Sequence, residues 1–175
     1  IENSLNVKLK NELEEKYDNV EVIIPPKNIG ISAGYNLGIR ESKTNFVKLT
    51  SADIHLTDKC LEDLEDCVSK MKNFAMLAPT YDDETIYKNY RIWKPEKLTT
   101  SFTDKVFEEY KVTEVDFVEN DFVISKKDFK DLGFFDENIF MYYETMDLCK
   151  KVRTANKKIY ISKKIKFTHY GASSV

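Results

Sequence analysis

Read by the spacing of its apolar positions, the chain alternates short β-patterned runs with helix-patterned ones. "SLNVKLKNELEEKY" begins with Ser4 in the place of a helix cap and runs, charged, to about Tyr17, and "IENS" resembles the last residues of a strand. "VEVIIP" reads as a strand of β-branched residues stopped by Pro25 and Pro26. In "KNIGISAGYNLGIRES", Gly30, Gly34 and Gly38 form a permissive turn leading into a weak helix. "NFVKLTSAD" is a second strand, and Thr57 to about Asn73 is an amphipathic helix with Cys60, Leu61, Leu64, Cys67, Val68 and Met71 on its apolar stripe. "FAMLAP" is a third strand. This alternation predicts an α/β fold whose doubly wound, mostly parallel sheet is flanked by helices.

From Thr80 to Val115 the periodicity lapses into aromatic and charged residues, with short strands such as "TIYKNYRIW". A connection this long and irregular predicts a lid or an acceptor platform. "EVDFVENDFVISK" returns as a strand, "KKDFKDLG" as a short helix ended by Gly133, and Glu144 to Ala155 as a helix. The last strand, "KKIYISKKIKFTHYG", turns Ile159, Ile161, Ile165 and Phe167 inward. With no repeat and no low-complexity linker, residues 1–175 read as a single domain. Because Ile1 opens on what looks like a strand's end, the expectation is a chain cut near its beginning, with at least one strand and helix lost.

Composition narrows the classes. A chain of 175 residues, 42% hydrophobic, is long enough for one core that buries roughly 70% of its unfolded surface. With 27 basic and 30 acidic residues it gives no reason to expect non-specific nucleic-acid binding. No apolar run reaches the roughly 18 residues of a membrane span. Cys60 and Cys67 lie about 10 Å apart along a helix axis, too far to bridge, which with Cys149 left over predicts a reducing, cytoplasmic compartment. Lys157, Lys158, Lys163, Lys164 and Lys166 read first as a guarded edge strand and second as a contact for a membrane surface or an anionic acceptor.

Three places carry candidate chemistry. Asp53 follows the strand "FVKL", at the sheet edge where α/β proteins bind ligands; it is either a turn aspartate or a carboxylate that holds a divalent ion against a diphosphate. His169 ends the last strand, as a satisfied structural residue or as a ligand. In "GFFDENIFMYYETMDLCKKV", Asp136, Glu137, Glu144 and Asp147 are interleaved with five rings. The macrodipole alone explains Glu144 and Asp147 in a first helical turn, whereas the rings Phe140, Tyr142 and Tyr143 favour a cleft wall, since rings strip a carboxylate of water and make it a stronger base.

Taken in order, "IENS", "NIGISAGYNLGI", "LTSAD", "GFFDENIFMYYETMDLCKKV" and "HYGAS" resemble the motifs of family 2 glycosyltransferases of the GT-A fold, in particular the bacterial rhamnosyltransferase-like branch that serves polysaccharide biosynthesis. The resemblance covers nearly the whole chain apart from its irregular middle. It implies that Glu2 contacts the nucleotide base or ribose, that Asn28 and Gly30, with Asn36, line the nucleotide-binding loop, and that Asp53 and His169 lie at a Mg²⁺ or Mn²⁺ ion and the diphosphate. It also implies that Glu144 and Asp147 stand beside the acceptor. Thr145 occupies the place of the family's usual base aspartate, which leaves Glu144 or Asp147 to accept the proton, and Ser51-Ala52 replace the usual asparagine-proline.

The implied activity is metal-assisted transfer of a sugar, with inversion, from a nucleotide-sugar donor to a glycan or lipid-linked glycan acceptor, by a cytoplasmic protein with scope for attachment at the inner face of the membrane. A metal aspartate paired with one distant base suits single displacement better than glycoside hydrolysis, which needs two carboxylates flanking the bond. The alternatives are a catalytically silent sugar-nucleotide or glycan-binding domain, favoured by Thr145, and a sugar nucleotidyltransferase, which would need a glycine-rich phosphate loop near its beginning.

Overall fold

The computed structural model describes residues 1–72, 74–82, 88–93, 105–119 and 121–170. Its helices are α1 (Val7–Lys16), α2 (Gly30–Glu41), α3 (Asp58–Lys70), α4 (Lys105–Glu109), α5 (Lys126–Asp131) and α6 (Glu144–Thr154). Its strands are β1 (Phe46–Leu49), β2 (Ile54–His55), β3 (Met76–Tyr81), β4 (Tyr90–Arg91), β5 (Val112–Val115), β6 (Phe117–Val118), β7 (Phe122–Ser125) and β8 (Ile159–His169). α3 starts where Thr57 accepts a hydrogen bond from the Cys60 N–H, and its apolar stripe buries Cys60, Leu64, Cys67 and Val68. α1 is capped by Asn6 rather than Ser4, whose hydroxyl and N–H both donate to Glu2.

The main sheet runs β1-β7-β3-β8-β2, with β5 also paired to β8. This is the expected α/β architecture, but pairing corrects the mostly parallel sheet: among the described strands only β3 and β8 pair in parallel. β1 and β3 do run the same way, as their alternation with helices requires, yet β7 enters between them antiparallel to both. The two layers differ in their helices. Ile39 of α2, Phe129 of α5 and Leu148 of α6 pack in one apolar cluster, while Leu64 of α3 and Phe107 of α4 belong to the other.

Four further expectations are corrected. "VEVIIP" forms no ladder: the Glu2 N–H donates to the Ile23 carbonyl, and the Val22 N–H and carbonyl are taken by the Glu14 and Lys10 side chains of α1, which leaves neither group for a partner strand. "EVDFVENDFVISK" is three pieces: β5 on β8, β6 on β4, and β7 between β1 and β3. Asp116 breaks the run, for its N–H donates to the Arg91 carbonyl and its carboxylate accepts the Trp93 N–H, tying the chain to the β4 segment. Within "TIYKNYRIW" the strand is confined to Tyr90–Arg91, and residues 85–87 lie outside the described ones. In β8 the four expected inward residues are all buried, but on opposite faces: Ile159 and Ile161 join the α2 layer, Ile165 and Phe167 the α3 layer. The pairing slips between Pro79 and Thr80, whose partners are Ser162 and Lys166, and the extra residues reverse the alternation.

Candidate active site

β1 delivers the chain to one rim of the sheet. There β2 pairs with the end of β8, Ile54 opposite His169, and the Tyr170 N–H donates to the Asp53 carbonyl at 3.0 Å. His169 Nε2 lies 3.0 Å from Asp53 Oδ2, and the imidazole stacks on the Tyr81 ring at 5.4 Å. The Ser51 hydroxyl, foremost, and His169 with it hold the Asp53 carboxyl below the usual carboxylate range. Two residues 116 apart in sequence thus meet as a carboxylate and an imidazole. No group of three or more His, Cys, Asp or Glu that could hold a metal ion occurs among the described residues. A pair suits an ion whose coordination is completed by phosphate oxygens and water.

Beside this rim a cleft of about 510 Å³ is lined by Ile1, Asn3, the Gly30-Gly34-Gly38 face of α2, Tyr35, and β1 as far as Ser51. Glycines four apart lie on one helical stripe, so the cleft meets bare backbone along α2. Asn28 accepts the Gly30 N–H, while Asn3 accepts the Ile29 N–H and donates to the Gly30 carbonyl, which fixes the turn into the helix. The Glu2 carboxylate is turned to its own chain, accepting from Ser4 and the Asn6 N–H, and these bonds keep it below the usual carboxylate range. Asn36 departs from the expected ligand-facing role. Its side chain is fully buried (0% exposed) and its amide is spent on Phe135 and Glu137.

The segment 134–143 crosses α2 and enters α6 through Tyr142 and Tyr143, both left-handed (φ 65° and 67°) and both exposed, at 68% and 74%. Glu144 follows at the first turn of α6, 3% exposed, and its Oε2 meets no hydrogen-bond donor. Asp147 is engaged instead in an ion pair with Lys151 at 2.8 Å, without the alignment of a hydrogen bond. Thr145 is buried. Tyr35 links the two ends of the site: burial first, then the negative charges of Glu144, Asp121 and Asp53, push its phenol up to about 12.

Sequence reasoning missed Tyr35, Lys48 and Asp121. Asp121 is 2% exposed and ion-paired with Lys48, which lines the cleft. A lysine inside the apolar run "FVKL" was a legible signal, but its partner depends on the register of β1 with β7, in which Lys48 faces Val123 and reaches diagonally to Asp121.

The fold has solved counterparts. The crystal structure of GalNAc-T7 with UDP, GalNAc and Mn²⁺ matches with a TM-score of 0.72 at 15% identity, covering 97% of this chain and 36% of that one. The shared fold is that of the GT-A glycosyltransferases, with this chain spanning about a third of that protein's length. The sequence pattern of Glycosyl transferase family 2 matches residues 7–133, and the chain belongs to that family. No curated protein matches it by sequence.

Proposed function

We infer that residues 1–175, as a single domain, carry a transferase site that moves a sugar from a nucleotide-sugar donor to a hydroxyl of a glycan acceptor with inversion. The observation that carries this reading is the meeting of Asp53 and His169, 3.0 Å apart, at the rim beside the cleft that the glycine face of α2 lines. Family membership and the GT-A fold support the donor class. The rhamnosyl branch and a bacterial source rest on the order of the motifs alone.

Glu144 rather than Asp147 is the base, because its Oε2 has no hydrogen-bond donor while Asp147 is held by Lys151. In the transfer, the acceptor hydroxyl gives its proton to Glu144, its oxygen bonds to the anomeric carbon, and the bond to the diphosphate breaks with the electron pair leaving on phosphate oxygen. Asp53 and His169 would hold Mg²⁺ or Mn²⁺, which when bound supplies positive charge against the departing diphosphate. The exposed rings of Phe140, Tyr142 and Tyr143 offer faces on which acceptor sugars stack, and with Met141 they also suit a lipid-linked acceptor held at a membrane surface. No helix among the described residues is long and apolar enough to cross a membrane.

The test measures nucleoside diphosphate release by the full-length protein. Glu144→Gln should lower kcat by about 10²–10⁴-fold and Asp147→Asn by far less, and an active Glu144→Gln variant would refute the assignment. Thr145 favours a second reading, a silent binding domain. Absence of turnover in the native protein, restored by Thr145→Asp, would establish it.

A further inference from the structure

The segment that presents Glu144 is fastened to α2, the helix that lines the donor cleft. Asn36 bonds both the N–H and the carbonyl of Phe135, at 3.0 Å each, and also reaches Glu137, to which Arg40 is paired. Farther along, the Ser32 hydroxyl donates to the Ile139 carbonyl and the Ile31 N–H donates to the Phe140 carbonyl at 2.8 Å. Gly30 has a φ of +79°, and a Cβ there would lie 2.5 Å from the Phe140 carbonyl oxygen. Two residues after Phe140 comes the Tyr142-Tyr143 bend, and directly after that Glu144. Consecutive left-handed non-glycine residues are strained and persist only where their surroundings over-determine them. The fastening bonds come from α2, and the same Gly30 and Ile31 line the cleft.

We propose that Ser32, with the Ile31 N–H, is a positioning residue for Glu144: it transmits the seating of a donor on α2 to the 138–146 segment and so places the base. Ser32 is buried and touches no reacting atom in this scheme; it acts through the Ile139 and Phe140 carbonyls. The inference rests on the donor and base assignments above. It adds that the two halves of the site are coupled through the contacts at the Ile139 and Phe140 carbonyls rather than independently placed.

Deuterium exchange of the full-length protein, with UDP, GDP or dTDP and Mn²⁺ added, tests this without knowledge of the acceptor. In the native protein a nucleotide that protects 28–38 should also slow exchange over 138–146 by at least about 5-fold, the lower end for coupled sites. Ser32→Ala should keep the first protection and lose the second. In turnover, it should lower kcat by about 10–100-fold with the donor KM within about 2-fold, since a misplaced base slows the chemical step without loosening the donor. Protection of 28–38 with none over 138–146 in the native protein overturns the coupling and leaves the donor site standing. No protection anywhere overturns both. Wild-type kcat in Ser32→Ala, in a protein that Glu144→Gln inactivates, overturns the positioning role alone.

Discussion

Replacing Asn36 by Ala is the most direct probe of how this site is held together. Asn36 is fully buried, and its side chain satisfies the N–H and the carbonyl of Phe135, itself only 2% exposed. Truncation leaves both backbone groups inside the protein without partners. A buried group so orphaned costs about 1–3 kcal/mol, hence about 2–6 kcal/mol for the two. The lost bond to Glu137 adds little, because that half-exposed carboxylate regains water. A water entering the space vacated by the amide would bring the figure toward its lower end, so Asn36→Leu, which fills that space with apolar atoms, should be the more damaging variant. Against a typical stability of about 5–15 kcal/mol the loss is large. Urea unfolding followed by far-ultraviolet circular dichroism reads it as a lower midpoint at unchanged slope. A loss under about 1 kcal/mol in both variants would show that Phe135 finds other partners and that Asn36 does not fasten the segment.

Gly30→Ala should destabilise by at least about 2 kcal/mol, from the left-handed backbone and the close Phe140 carbonyl together, and a neutral result in the same urea assay would contradict the contact. Asp53→Asn should weaken Mn²⁺ binding in the presence of UDP at least about 10-fold by water-proton relaxation, and unchanged affinity would remove Asp53 from the metal site. Tyr35 ionises near 12 in the fold against about 10 unfolded, so its contribution to stability is complete below pH 10 and lost as pH rises through 12. Tyr35→Phe should therefore flatten the fall of the urea midpoint between pH 10 and 12, and an unaltered slope would place the phenol in water.

Much of the fold was legible because local chemistry agreed with it. The Thr57 cap stands as the pattern predicts, as does the apolar stripe of α3 except at Leu61, which is exposed because it lies on the outer face of the helix, and Gly133, at φ +82°, closes the turn after α5. What failed did so for tertiary reasons. "VEVIIP" has the composition of a strand but no ladder, and "EVDFVENDFVISK" has the pattern of one strand but is split at Asp116 and its neighbours into three pieces that pair separately. The buried faces of β8 could not be read from alternation, since a slip opposite Pro79 reverses them.

The same division runs through the site. The sequence by itself determined which residue types were present and in what order: an acid after an apolar strand, a histidine ending the last one, acids among rings at the start of a helix, and glycines four apart. Order along a chain says nothing of distance between its parts. Only the pairing of β2 with β8 brought Asp53 to His169, only the crossing of α2 by 134–143 turned Asn36 inward, and only the register of β1 on β7 joined Lys48 to Asp121. Those contacts form across 73 to 116 residues, where strand pairing and hydrogen-bond satisfaction decide the neighbour and local pattern does not.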